Sequence, residues 1–195
     1  MTLTERQNSL FECVKIFHSG QKRKYTGDPY HVHLIGVADL VQKYVDDPLA
    51  VEIALCHDLY EDTDCNMGKL DYTLQKCYYH RSEIIQITVG VMHLTDIFTS
   101  EKYPELNRSK RKQLEAERLG KTDSLIHSIK YADMIDNMKT IVEFDQKFAK
   151  VYLSELRYLI ECMRDGNNDL LILCCHNLMD AEMYLEKFHK EVITK

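Results

Sequence analysis

Apolar residues recur every three or four positions along nearly the whole chain, and that period predicts helices rather than strands. Nine segments follow from it: 4–19, 32–45, 48–60, 69–78, 82–95, 105–119, 123–142, 146–164 and 168–189. Local punctuation supports several of the boundaries. Asp47 before Pro48 reads as an N-cap with proline at the first helical position. Gly20 and Gly120 sit where C′ residues belong, and "RDGNND" separates the last two segments. Only "IIQITVGV" is β-branched enough to compete for a strand, and nothing alternates at period two for long enough to demand a sheet.

Composition narrows this to an all-α protein. With 45% hydrophobic and 29% charged residues, seven Gly and three Pro, the chain is globular and too poor in breakers for a loop-rich β fold. Its 195 residues suffice for one well-buried domain, and no seam, internal repeat or low-complexity tract divides them, so a single domain over 1–195 is expected. The formal net charge of -6 argues against electrostatic attachment to nucleic acid or to a membrane surface, so an anionic ligand must be met locally. No run approaches the roughly 20 apolar residues of a membrane span. Seven cysteines without CxxC spacing, behind a polar start (MTLTERQNS) with no apolar signal region, predict reduced thiols in the cytoplasm. Cys174 and Cys175 before His176 lack a second ligand pair for zinc and read as buried thiols.

The stretch "ALCHDLYEDTD", residues 54–64, carries the densest chemistry. On a helix His57 and Glu61 share one line and Asp58 and Asp62 the next, so four ionisable groups flank one groove. Most charge clusters are solvated faces. Here, however, His57 stands in register with Ile53, and Asp58 with Ala54, both inside an apolar run. Burying these groups side by side is costly unless a cation or hydrogen bonds compensate. His33 heads an apolar face continued by Val37, Leu40 and Tyr44; alone, such a histidine is more often a hydrogen-bonded core residue than a ligand. In 123–142, Tyr131, Ile135, Met138 and Val142 form an apolar stripe, and Asp133, Asn137 and Thr140 a polar one prolonged by Ile126 and Ile129. That helix is expected to be central, with Asp133 facing inward. His33, His57, Asp58 and Asp133 together would make a mixed nitrogen and oxygen site suited to manganese, iron or zinc. Two basic stretches, "GQKRKYTGDPY" and "NRSKRKQ", are solvated segments when read alone. Beside a metal site, Gln21, Lys22, Arg23 and Lys24 of the first and Arg108, Lys110, Arg111 and Lys112 of the second become a clamp for an anion with several phosphates.

Three motifs in order, "HSGQKRKYTGDPYHVHLIGVADLV", "ALCHDLYEDTD" and "IKYADMIDNMKT", resemble the HD-domain hydrolases of the RelA/SpoT type. The likeness is strongest to the small stand-alone alarmone hydrolases, the metazoan SpoT homologues among them, and covers about residues 18–142. It implies an HD-type helical bundle in which His33, His57, Asp58 and Asp133 bind one divalent ion, most consistent with manganese, with Fe2+, Zn2+ or Mg2+ as the other candidates. Glu61 and Asp62 resemble the pair that orients and deprotonates the attacking water. Arg23 and Lys24 resemble the residues around nucleobase and phosphate; Asn137 and Thr140 those at the sugar and phosphate; Tyr30 the Tyr of the "PY" element. Asn107, Arg108 and Lys112 resemble a basic helix motif of related proteins. The implied activity is hydrolysis of the 3′-pyrophosphate of ppGpp to GDP and pyrophosphate, without nucleic-acid or membrane partners. At this length the chain has no room for the synthetase and regulatory segments of the long members, so degradation alone is expected. His33-Leu34 replaces the usual His-Pro, "KYAD" replaces "KLAD", and the loop after Lys24 is one residue longer, all of which bear on the base pocket. The alternatives are a phosphohydrolase for another nucleotide (a dNTP, a nucleoside monophosphate or NADPH), a nucleotide-binding HD protein without turnover, and a helical domain whose His and Asp residues are purely structural. Residues 143–195 are expected to cover the core or to form a homo-oligomer interface.

Overall fold

The structure is a computed structural model, described over residues 1–193, with side chains through residue 187. The last residues of the expected 1–195 domain lie outside the described residues. Ten helices and no strand are found among them, the only ladder pairing being an isolated bridge between Lys22 and Pro29. The chain divides into two compact units, Met1–Asp96 and Ile97–Lys195.

The first unit holds α1 (Glu5–Phe17), α2 (His31–Tyr44), α3 (Ala50–Cys56), α4 (Leu59–Asp62), α5 (Met67–Lys76) and α6 (Arg81–Leu94). All seven residues of α3 are buried, because α1, α2 and α6 each pack against it. Leu10 and Val14 of α1, Leu34, Val37 and Val41 of α2 and Ile87 and Val91 of α6 are fully enclosed around it. Each such side chain contributes about 1.5–3 kcal/mol by leaving water. The β-branched stretch "IIQITVGV" lies inside α6. Gly90 makes that helical packing feasible, since a Cβ there would stand 2.7 Å from Ile53 Cδ1. Tertiary fit of a helix against α3 thus overrides β propensity.

The second unit holds α7 (Arg108–Leu119), α8 (Ser124–Phe144), α9 (Gln146–Cys162) and α10 (Asn168–Ile193). As the double-sided apolar pattern predicts, α8 is its central helix, packed by α9 and α10, with Ile126, Ile129, Tyr131, Ala132 and Ile135 all buried. The helices of 143–195 therefore cover α8. Tyr131 donates its hydroxyl to the Met163 carbonyl at 2.6 Å, and Gly166 leaves room for its ring.

Three boundary expectations are corrected. Gly120 is the C-cap of α7 in right-handed conformation (φ -59°), and what requires glycine there is the Cys162 carbonyl, 2.6 Å from where a Cβ would stand. Asp47 caps a turn rather than a helix: its Oδ1 accepts from the Leu49 amide at 2.9 Å, and α3 begins only at Ala50. The expected helix 48–60 is broken after Cys56. His57 donates Nδ1–H to the Ala54 carbonyl at 2.8 Å, occupying the acceptor that a continuing helix would offer to the Asp58 amide. Asp58 accordingly sits at φ -94°, ψ -1°, and a separate single turn, α4, follows.

Candidate metal centre and its surroundings

The break after Cys56 is what aims the His57–Asp58 pair. Its Nδ1 engaged by Ala54, the His57 ring directs Nε2 at Asp58 Oδ2, 3.1 Å away. From the first turn of α2, His33 brings its own Nε2 to 3.5 Å from the same oxygen. The rings cross at 63° with centroids 5.3 Å apart, both histidines are 2% exposed, and one ligand atom from each of His33, His57 and Asp58 lies within 4.8 Å of the others. Donors about 2.0–2.2 Å from one ion stand roughly 3–4.4 Å apart, so this triangle closes around a cation with little movement. Its chemistry fits too. Two buried imidazole nitrogens gathered at the oxygen of a half-buried carboxylate form a donor set that a divalent ion between them would satisfy.

Tyr30 completes the inner wall by donating its hydroxyl to Asp58 Oδ2 at 2.7 Å. Burial and the nearby Asp58 and Asp62 carboxylates push its phenol well above the usual range, so it stays a donor. Tyr30, which the resemblance places among the substrate-binding residues, thus touches the Asp58 carboxylate. Glu61 and Asp62 follow on α4 and are exposed. One oxygen of Glu61 accepts the Asp96 amide at 2.5 Å. The Asp62 carboxyl is raised above its ordinary value, chiefly by desolvation, with Asp58 adding to the rise and Tyr30, His18 and His57 opposing it. A raised carboxylate is a better base near neutrality.

Arg23 and Lys24 lie in the 21–30 loop. The Arg23 amide donates to the Asp28 carbonyl at 2.8 Å, Gly27 turns with φ +75°, and the Lys24 ammonium stands over the Tyr25 ring at 4.7 Å.

The remaining expected residues belong to the second unit. Asp133 on α8 is 6% exposed; its Oδ2 pairs with the Lys130 ammonium at 2.8 Å and its Oδ1 accepts from the Asn137 amide at 2.7 Å. Thr140 donates to the Asn137 carbonyl at 3.3 Å. Arg108 is engaged by Glu155 through two 2.8 Å hydrogen bonds and lies over the Phe148 ring. Lys112 lines a cavity of about 260 Å³ with Ser154, Glu155 and Tyr158. Asn107 serves as the N-cap of α7, accepting from the Lys110 amide at 2.9 Å.

Residue patterns alone passed over several participants. Lys130 stands three before Asp133, a spacing that puts them on one helix face and could have flagged the pair. His18 was visible only as the first residue of the "HSGQ" motif, and Gln21 only as part of the first basic stretch. The Asp96 amide on Glu61 is a backbone contact that no side-chain pattern signals.

No protein-family model matches the chain. A GTP pyrophosphokinase of Streptomyces coelicolor is 29% identical over 142 residues, covering 72% of this chain and 15% of that protein. A guanosine-3′,5′-bis(diphosphate) 3′-pyrophosphohydrolase of Vibrio cholerae is 29% identical over 130 residues, 64% of this chain and 16% of its own length. Its namesake in Aquifex aeolicus is 28% identical over 145 residues, 74% and 19% respectively. The chain thus spans less than a fifth of the length of these curated relatives. In three dimensions, a metazoan orthologue of SpoT that hydrolyses ppGpp and plays a role in starvation responses superposes with a TM-score of 0.73, covering 92% of this chain and 97% of that one at 20% identity. The fold is the helical HD-domain fold of a SpoT-type hydrolase. The resemblance carried by the three motifs is borne out in sequence and in fold alike. No helix among the described residues is long and apolar enough to cross a membrane.

Proposed function

We propose that the chain is a metal-dependent phosphohydrolase that cleaves the 3′-pyrophosphate of guanosine polyphosphates, releasing GDP and pyrophosphate from ppGpp. The observation that carries this reading is the convergence of His33, His57 and Asp58 in an HD-type fold, with the Glu61–Asp62 pair one turn further on. Curated relatives named for ppGpp hydrolysis support the choice of substrate. The SpoT-like neighbour, at 92% coverage, supports reading 1–195 as one HD-type domain.

In this reading His33, His57 and Asp58 hold one divalent ion, manganese by preference, with Asp133 as its fourth protein ligand. A bound ion of this kind supplies charge neutralisation at a phosphate and acidifies a nearby water. Tyr30, by donating to Asp58 Oδ2, fixes which carboxylate oxygen faces the two imidazoles. Glu61, anchored through one oxygen by the Asp96 amide, and Asp62, with its raised carboxyl, orient the attacking water and accept its proton. The ribose 3′ oxygen leaves from the attacked phosphorus. Arg23 and Lys24 meet the base and 5′ phosphates, and Asn137, Thr140, Arg108 and Lys112 take the remaining sugar and phosphate contacts, so that a protein of net charge -6 still receives a polyanion. Arg108 would exchange its Glu155 pair for phosphate on binding. A cytoplasmic location suits a nucleotide substrate of this kind.

The decisive experiment assays the purified chain with Mn2+ against ppGpp, dNTPs, nucleoside monophosphates and NADPH, with pyrophosphate and phosphate release measured separately. Pyrophosphate from ppGpp is expected. Intact ppGpp beside a cleaved competitor would reassign the substrate. Glu61→Gln should cut turnover by about 10²–10⁴-fold while nucleotide binding persists; unchanged turnover would remove Glu61 from the chemistry.

A further inference from the structure

Next to the metal centre, one buried histidine stands outside the ligand set. His18, just past α1, is 3% exposed, and its Nε2 is buried with no hydrogen-bond partner. Its Nδ1 lies 2.7 Å from Gln21 Oε1, an atom that can only accept, so Nδ1 carries the proton. With its amide oxygen taken by His18, Gln21 must present Nε2 on the other side, where it donates to the Asp62 carbonyl. That carbonyl ends the single turn α4 and has no helical partner of its own. The His18 ring also stacks on Tyr30, centroids 4.8 Å apart and planes 13° from parallel, and it is the Tyr30 hydroxyl that donates to Asp58. The Gln21 backbone closes the unit: its amide donates to the His18 carbonyl, and its carbonyl accepts from the Tyr30 amide, each at 3.1 Å.

We propose that His18 is a positioning residue, which by fixing the Gln21 amide and the Tyr30 ring holds the Glu61–Asp62 turn and the Asp58 carboxylate in their working orientation. The inference rests on the hydrolase reading for its kinetic consequences, but the bracing itself is independent of substrate. One side chain therefore serves two arms. The amide arm controls where the water-orienting carboxylates stand, and the ring arm controls the metal-site carboxylate. A helix of four residues cannot hold that geometry by itself, because forming a single turn is unfavourable without outside support.

The arms are separable by substitution. His18→Phe keeps a ring to stack on Tyr30 and removes the N–H donor; His18→Asn keeps an amide donor near the place of Nδ1 and removes the ring; Gln21→Leu removes the amide alone. In the Mn2+-loaded full chain, His18→Phe and Gln21→Leu should each lower kcat on ppGpp by about 10–100-fold with KM and metal content little changed, as expected for groups that orient others. The double variant should be no worse than either single one, and His18→Asn should recover part of the rate, the share carried by the amide arm. Hydrogen exchange of backbone amides in 59–64 should be about fivefold faster in His18→Phe and Gln21→Leu, the effect of losing one hydrogen bond, and near parental in His18→Asn. Parental kcat and parental exchange in both variants, additive losses in the double, or no recovery with asparagine would overturn the proposal. If the parent leaves ppGpp intact, the hydrolase reading fails while the exchange rates still decide this one: faster exchange upholds it and parental exchange rejects it.

Discussion

Glu52 on α3 and Asp133 on α8 are both carboxylates on the buried side of a helix, 3% and 6% exposed, yet their surroundings differ in kind. Around Glu52 the donors are neutral. Gln7 Nε2 reaches its Oε1 at 3.2 Å and the Tyr79 hydroxyl the same atom at 3.1 Å, while Oε2 is buried with no partner. The nearby cation, Arg6, is engaged by Glu83 and lies over the Tyr79 ring. Burial therefore dominates, and the Glu52 carboxyl is raised above its ordinary value despite the opposing hydrogen bonds from Gln7 and Tyr79. Asp133 has each oxygen engaged, one by the Lys130 ammonium and the other by the Asn137 amide. Such partners suit an anion. The difference teaches what burial of a carboxylate means here: an acid knitting α1, α3 and the segment before α6 is surrounded as a neutral group is, and an acid proposed to bind metal is surrounded as an anion is.

The largest effect separates them by metal. Asp133→Asn, which keeps size and loses charge, should abolish bound metal and lower hydrolysis by about 10³-fold, roughly 4 kcal/mol of transition-state stabilisation, with helix content nearly intact. Elemental analysis and circular dichroism of the variant read this, and Glu52→Gln should retain its metal. Full metal content in Asp133→Asn would break the comparison, because the two carboxylates would then differ only in their neighbours. A smaller effect is expected one step out. Lys130→Met, removing the cation that holds Asp133 Oδ2, should weaken metal affinity by about 10–100-fold, as loss of an orienting partner does. Titration with Mn2+ against a competing chelator measures it, and unaltered affinity would mean that Lys130 serves only α8.

How much of this was legible before any coordinates depends on how local each cause is. Eight of the nine periodic segments exist as single helices and the ninth, 48–60, as two, since burial of one face is written into spacing, and the central place of α8 within its unit followed from apolar residues on two sides of its first turns. His33, His57 and Asp58 were recognisable because an apolar register runs into ionisable groups, and the three do meet. The break between α3 and α4 was not, because its cause is a side chain, His57, capturing a carbonyl three residues back. Gly120 was placed at the right helix end for a different reason from the real one, which is a backbone 42 positions away in sequence. Arg108 looked like a ready phosphate ligand, and Glu155 on α9 holds its guanidinium, a partner invisible to any pattern within α7. Glu52 illustrates the same limit, reading as an ordinary polar position in "AVEIALC" while its two donors come from α1 and from the turn before α6.

Within the Glu52 cluster, removing a donor should cost more than removing the charge. Tyr79→Phe deletes the hydroxyl that reaches Oε1 and leaves the acid with Gln7 alone, for a loss of about 1 kcal/mol in unfolding free energy. Chemical denaturation at fixed pH would record it, and an unchanged midpoint would show that the hydroxyl does not contribute.

The smallest effect is the most diagnostic, because its sign depends on pH. A carboxyl whose folded-state value lies above its unfolded one binds a proton more readily when folded, so its favourable contribution is complete below the unfolded value near 4.5 and is lost as pH rises through the folded one. Glu52→Gln replaces that acid by a neutral group which can still accept from Gln7 and Tyr79. At pH 8, where the parent must either bury a charge or take up a proton against the solution, the variant should be the more stable chain, by a fraction of the cost of a buried charge. Toward pH 4.5 the parent carboxyl is protonated in place, and the advantage should shrink to nothing. Urea midpoints of both chains at pH 4.5, 6 and 8 trace the difference. A gap that stays constant across that range, or one that widens as pH falls, would show that Glu52 is held as an anion after all, in the same manner as Asp133.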